Sequence, residues 1–205
     1  VTLVKNRQIV KATSLPIGAL TLTGTYQKGD EYTPKELEKM TKAVKKTIRE
    51  HTWLQNVKLP LLGIGGTARN IAKIDQRKLS YPITKLHNYE LPYDRFHEIL
   101  EDIKGKSLEE RKKISGLSSE RADIIIAGLT IVDELFNYVN TKTLVVGGCG
   151  LREGLFYDYY GNHYLGGQNI IDDILVHSAE NVLLGMTKHE LVHAKYITKL
   201  ATTLY

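Results

Sequence analysis

The residues best suited to chemistry in this sequence are glycines at the ends of apolar runs. Gly63-Ile64-Gly65-Gly66-Thr67 closes one such run and opens onto Ala68-Arg69. Glycines let backbone N–H groups approach an anion, and a helix starting there would present its positive end. With the Thr67 hydroxyl and Arg69 one turn in, the stretch reads as a phosphate cradle. A tight strand-to-helix turn needing glycine for geometry alone is the alternative. Gly63-x-Gly65-x-x-Ala68 also fits the dinucleotide pattern, but no strand ending in Asp or Glu follows about 20 residues on. A P-loop needs Gly-Lys-Ser/Thr, and the residues here are Gly66-Thr67-Ala68.

A second candidate is Gly116-Leu117-Ser118-Ser119-Glu120-Arg121-Ala122-Asp123, a serine-capped helix start. Its Arg121 could grip phosphate with a bidentate fork or pair with a carboxylate. A third is Gly147-Gly148-Cys149-Gly150-Leu151-Arg152-Glu153-Gly154. Cys149 has no adjacent His or cation and follows an apolar strand, so a small buried residue is expected rather than a nucleophile. The fourth, His189-Glu190-Leu191-Val192-His193, matches the zinc-protease signature, with both His on one helix face. Its third ligand is the difficulty: the position where the short extension needs Gly is Tyr196, and a Glu about 20 residues on would fall beyond Tyr205. A surface helix is expected. His51, His87, His97, His163 and His177 are scattered, and Asp30, Asp75 and Asp158 show no pairing.

These residues need positioning elements. Residues 1–5 and 9–14, split by Asn6-Arg7, read as a hairpin ended by Leu15-Pro16-Ile17-Gly18. Thr33-Pro34 starts a helix with Leu37, Met40, Val44 and Ile48 as its apolar seam and Lys35, Lys39, Lys42, Lys45, Lys46 and Arg49 around it. Leu59–Ile64 reads as a buried strand, followed by a helix from Ala68 to about Ile74. Helices are expected over Pro92–Ile103, from the capping box at Ser107-Leu108-Glu109-Glu110, and from Ser118 or Ser119 to about Val139. Leu144-Val145-Val146 is a second buried strand, residues 161–168 a linker, and 170–184 and 187–204 two more helices. Strands alternating with helices make the class α/β.

Composition sets the bounds. The 205 residues are 42% hydrophobic and 25% charged, enough for a real core. The single cysteine excludes a disulfide scaffold and points to the cytoplasm. No apolar run approaches the roughly 18 residues of a membrane helix, and no signal peptide is visible. The chain does not begin with Met and is read as a processed or excised piece. The net charge of +5 is local: residues 1–60 hold 11 Lys and Arg against 5 Asp and Glu. A polyanionic partner is one reading and a solvated helix surface the other. Tandem basic and aromatic repeats are absent, so no nucleic acid is expected.

Taken together, Ser14 to Ala19, Gly63 to Arg69, Leu86-His87-Asn88-Tyr89-Glu90, Gly116 to Asp123 and Leu151-Arg152-Glu153-Gly154 occur in an order and spacing that resembles the exopolyphosphatase / guanosine pentaphosphate phosphatase (Ppx/GppA) family over roughly residues 1–160. The resemblance implies a ribonuclease H-like lobe of the actin-like, sugar kinase and heat-shock ATPase fold: the second lobe in 1–160, and a linker with the start of a helical extension in 161–205. It implies Mg²⁺-dependent removal of terminal phosphate from inorganic polyphosphate or of the 5′ phosphate of guanosine pentaphosphate. The polyphosphate-binding residues would be Gly65, Gly66, Thr67, Arg69, Arg121 and Lys45. The catalytic Glu and the Mg²⁺ site belong to the family's first lobe, so neither a catalytic residue nor a metal ligand is expected in this chain. Alone it is expected to be inactive or nearly so. Homodimerisation through the helical extension is a further implication. The rival is a non-catalytic phosphate- or nucleotide-binding module of the same fold.

Overall fold

The computed structural model describes residues 1–167, 173–183 and 187–204. It divides into two compact units, Val1–Gly150 and Leu151–Tyr205.

The first unit opens with a hairpin, β1 (Thr2–Lys5) and β2 (Gln8–Ala12), antiparallel with Thr2 opposite Ala12 and Lys5 opposite Gln8. Asn6 and Arg7 both take positive φ, the geometry that a two-residue turn needs to match strand twist. Helix α1 (Ala19–Tyr26) follows. The sequence gives little sign of it, because three threonines and Gly24 are poor helix formers; packing of its buried Leu22 side on neighbouring helices overrides propensity. Helix α2 (Pro34–Arg49) has the expected start. The Thr33 hydroxyl accepts from the Glu36 amide, while the Glu36 carboxylate accepts the Thr33 amide at 2.8 Å. Those bonds, the backbone one first, hold the Glu36 carboxyl below its usual range. Met40, Val44 and Ile48 are buried and the lysines stay outside.

Next come β3 (Leu61–Gly63), α3 (Gly66–Lys78), β4 (Tyr89–Pro92), α4 (Tyr93–Lys104), the short α5 (Leu108–Lys112), α6 (Ile125–Val139) and β5 (Thr143–Val146). The sheet order is β3-β5-β4. β3 runs parallel to β5, with Leu61 opposite Leu144 and Gly63 opposite Val146; β4 runs antiparallel, with Tyr89 opposite Val146. β3 is therefore an edge strand among the described residues. The expectation of a buried strand there is corrected: Leu62 is 63% exposed and Ile64 60%. β4 was not foreseen, since Tyr-Glu-Leu-Pro is short and ends in proline; its Tyr89 and Leu91 alternate inward.

α6 is the centre of the unit. It is apolar on most sides, with Ile125, Ile126, Ala127, Leu129, Phe136 and Val139 buried, and it packs against α1, α2, α3 and α4. It ends at Asn140 in the left-handed conformation, whose N–H is bonded to the Phe136 carbonyl. Asp75, which looks unpaired in sequence, is buried on α3. It accepts the Tyr89 hydroxyl at 2.6 Å and pairs with Arg95 at 3.0 Å, joining α3, β4 and α4. Burial first, and then this bond, push the Tyr89 hydroxyl well above its ordinary value.

The second unit consists of α7 (Leu151–Tyr164), α8 (Ile174–Leu183) and α9 (Lys188–Leu204). α7 takes up residues 151–160, to which the sequence assigns no element, and the start of the expected linker. Phe156 stacks on Tyr160 and Tyr160 on Tyr164, pairs four residues apart that helical geometry brings together. Glu180 of α8 and Lys195 of α9 form an ion pair at 2.7 Å. The expected helix start at 170 and the position 184 lie outside the described residues. No helix among the described residues is long and apolar enough to cross a membrane.

Candidate anion-binding site

The site is built where β3 passes into α3. Gly63 must lack a side chain: a Cβ there would stand 2.7 Å from the Ala68 Cβ and 2.9 Å from the Leu144 Cδ1. Gly65 has φ 103° and ψ −172°, a conformation essentially confined to glycine. No side chain caps α3. The first amides of a helix have no acceptor within it, so those of Gly66, Thr67 and Ala68 form the positive end of the helix dipole. α3 starts two residues earlier than the sequence suggests and runs to Lys78. The second glycine turn backs the first, with the Gly147 N–H donating to the Gly63 carbonyl at 2.9 Å. Gly148 donates to the His87 Nδ1 at 3.3 Å and lies so close that a Cβ would meet the His87 Cβ at 2.8 Å.

Arg121 is brought to this turn from far along the chain. The atoms nearest to a Cβ built on Gly66 are Cζ, Nε and Nη2 of Arg121, at 3.2–3.4 Å. The guanidinium thus lies against the start of α3 and is exposed. The arm that carries it differs from the expected capped helix. Ser119–Arg121 is a single 3₁₀ turn closed by the Arg121 N–H on the Ser118 carbonyl, and Ser118 makes no side-chain cap. Buried Leu117 and Ala122 pin the arm on either side of Arg121, and α6 begins only at Ile125.

The residue that joins turn and arm is Asn70, which the sequence reading missed. Its Nδ2 donates to the Gly66 carbonyl and its Oδ1 accepts the Ser118 N–H, both at 2.8 Å, and the side chain is buried. The one available sequence signal was a polar residue four positions after Gly66 on the inner face of the helix. Gly128 was missed for want of any signal: a Cβ there would meet the Thr67 Oγ1 at 2.7 Å, so α6 sets the place of that hydroxyl. Asn70→Ala would remove two part-buried hydrogen bonds, each contributing about 0.5–1.5 kcal/mol, and should lower the urea midpoint to match. Asn70→Asp keeps the acceptor for Ser118 but loses the bond to Gly66 and adds negative charge. We expect it to weaken tripolyphosphate binding more than it lowers stability.

The remaining expected residues fall as follows. Arg69 is exposed, and its Nε donates back to the Gly65 carbonyl at 3.4 Å. Lys45 lines a cavity of about 120 Å³ with Arg49 and Glu134, and none of the residues lining that cavity belongs to the turn. Burial holds the Glu134 carboxyl above its usual range, with Lys45 opposing. The folded state therefore binds this proton more tightly than the unfolded chain. The contribution is fully present below the unfolded carboxyl value, about 4.3, and is lost as pH rises through the folded one. Glu134→Gln should flatten the pH dependence of the urea midpoint across that window. Cys149 is exposed rather than buried, because the strand has ended before it. His189 and His193 are exposed on α9, and the described residues hold no group of three or more His, Cys, Asp or Glu placed to bind a metal ion.

The model of the Ppx/GppA phosphatase family matches residues 1–163. Among characterised proteins, the guanosine-5′-triphosphate,3′-diphosphate pyrophosphatase of Aeromonas salmonicida (strain A449) is 30% identical over 69 residues, 32% of this chain and 14% of that protein. The bifunctional 3-dehydroquinate synthase/phosphatase of Fusobacterium nucleatum is 26% identical over 148 residues, 71% of this chain and 22% of that protein. Among solved structures, a Ppx/GppA family member from Aquifex aeolicus superposes with a TM-score of 0.63 at 29% identity, covering 74% of this chain and 49% of its own. An exopolyphosphatase from Cytophaga hutchinsonii superposes with a TM-score of 0.70 at 20% identity, covering 77% and 52%, and shows the fold alone. The chain thus spans about half the length of these structures and less of the two characterised relatives. Its α/β fold is the actin-like one, and this chain belongs to the Ppx/GppA phosphatase family.

Proposed function

We propose that this chain is the anion-gripping lobe of a phosphatase that removes the terminal phosphate of inorganic polyphosphate or the 5′ phosphate of guanosine pentaphosphate. The observation that carries this reading is the Arg121 guanidinium lying against Gly66 at the uncapped start of α3. Backbone amides and a planar cation then meet at one place, and both are donors. Such a set suits a phosphoryl oxygen in the ground state and suits it better as charge builds on the leaving oxygen.

In this reading water attacks the terminal phosphorus in line, and a carboxylate from the facing lobe orients that water. This chain holds the remainder of the phosphate chain in register and offsets its charge. Mg²⁺ takes oxygen ligands, commonly one or two carboxylates with substrate phosphates. The residues around the turn supply N–H and O–H donors, so they do not fit the ion and no step here passes through it. The facing lobe and the phosphates would hold it. Exposed Lys35, Lys39 and Lys46 on α2 favour a long polyanion over a lone nucleotide.

The test is orthophosphate release from long-chain polyphosphate with Mg²⁺, first by this chain and then with the first lobe of a family member added in trans. Release only in the mixture is the expected result. Release by this chain alone would overturn the division of labour. Association of the two lobes without release would favour a non-catalytic binding module.

A further inference from the structure

A concavity that the turn does not use lies along the C-terminal half of α3. It encloses about 740 Å³, and its basic side chains are Lys73 and Arg77, one helical turn apart. The remaining polar wall is hydroxyl-rich, with Ser80, Thr84, Ser115 and Ser118, and no Asp or Glu lines it among the described residues. Lys78 on the same helix pairs with Glu98, and nearby Arg95 pairs with Asp75. Lys73 and Arg77 are exposed and have no ion-pair partner among the described residues.

The walls are fixed. Gly116 sits at φ 93° with its Cα close against the Lys73–Ile74 peptide, which sets the arm tightly on the helix. The opposite wall, residues 80–85, is tied to α3 by buried Gln76: its side-chain Nε2 donates to the Lys85 carbonyl at 3.1 Å, and its backbone carbonyl accepts the Tyr81 N–H at 2.9 Å. Tyr81 lines the groove, and Tyr89 meets its ring edge-on, the centroids 5.3 Å apart. Gly66 and Lys73 are seven residues apart, or about 10 Å along the helix, and the arm crosses between them at Asn70 and Ser118.

We propose that this groove is a second oligophosphate site, separate from the glycine turn. Two cations free of carboxylate partners and a ring of hydroxyls would hold the phosphates. Two sources share that chemistry. One is an inorganic phosphate chain. The other is a purine nucleoside triphosphate, whose base would stack on Tyr81. The inference does not depend on the hydrolysis proposed above.

The test is titration of this 205-residue chain with tripolyphosphate and with ATP, read by calorimetry and by backbone amide shifts. We expect Lys73→Glu with Arg77→Glu to weaken the groove event at least tenfold, with amides of Ser80, Thr84 and Ser115 no longer shifting. Lys5→Glu with Lys11→Glu, an equal change of charge on the hairpin, should leave it unchanged. Arg121→Ala should leave the groove shifts intact while moving those at Gly65–Arg69 to at least tenfold higher tripolyphosphate. A selective loss of ATP affinity in Tyr81→Ala identifies the nucleotide; equal affinity with Tyr81→Ala identifies the phosphate chain. The proposal is overturned if shifts stay confined to the turn, or if the hairpin reversal weakens binding as much as the groove reversal does.

Discussion

Arg121→Ala is expected to lower the affinity of the glycine turn for tripolyphosphate, read at the amides of Gly65–Arg69, by one to two orders of magnitude while leaving stability nearly unchanged. A hydrogen bond to a charged group contributes about 1.5–3 kcal/mol, and each 1.4 kcal/mol is a factor of about ten. The guanidinium is exposed and lies against a glycine, so its removal opens no cavity, and exposed substitutions usually stay within about 0.5 kcal/mol. Arg121→Lys should recover only part of the loss, because the charge returns without the fork. Gly66→Ala is a companion test from the other side. Its Cβ would fall 3.2 Å from the Arg121 Cζ, and the flexible arginine would yield. Affinity should fall with little change in the urea midpoint. Unchanged affinity in both variants would remove Arg121 from the site.

Gly116→Ala is expected to have the largest effect on folding. The position has φ 93°, and a Cβ would stand 2.7 Å from the Lys73 carbonyl carbon, the Lys73 oxygen and the Ile74 nitrogen. Those are backbone atoms inside α3 and cannot rotate away. Backbone strain costs about 1–3 kcal/mol and overpacking a similar amount, a large part of the stability of an ordinary domain. If the arm lifts to relieve the clash, Ser118 leaves Asn70 and Arg121 leaves the turn. Both the urea midpoint and tripolyphosphate affinity should therefore drop. A stable variant with lower affinity would mean that the arm moves independently of the core. A variant equal to the wild type in both would contradict the close packing at Gly116.

Local chemistry was legible in the sequence wherever it is local. Thr33-Pro34 with Glu36 and Ser107 with Glu110 specify their helix starts through bonds spanning three residues, and the structure has both. Gly65 was legible for the same reason: the turn needs a backbone conformation that only glycine allows. The companions of the turn were not. Asn70 joins parts of the chain 48 residues apart, and Gly128 touches Thr67 only because α6 crosses there. Arg121 was singled out from its motif, but no spacing rule places it on Gly66. β3 looked buried because its residues are apolar, whereas its exposure depends on which strands flank it. Lys45 was implied by the family resemblance and not by any local motif, and the structure sets it beside Glu134.

The parallel pairing of β3 with β5 has a consequence for the order of assembly. Leu61 meets Leu144 only after the intervening helices have been laid down, a contact of high sequence separation. Such contacts form late and raise the contact order that slows folding. On a growing chain the hairpin and α2 can form from neighbours alone. The Gly63 carbonyl waits for Gly147, so the turn has its backing only once the last strand of the unit has emerged. An anion that binds only the finished turn would stabilise the chain by RT ln(1 + [L]/Kd), which makes the ligand a participant in completing the lobe that holds it.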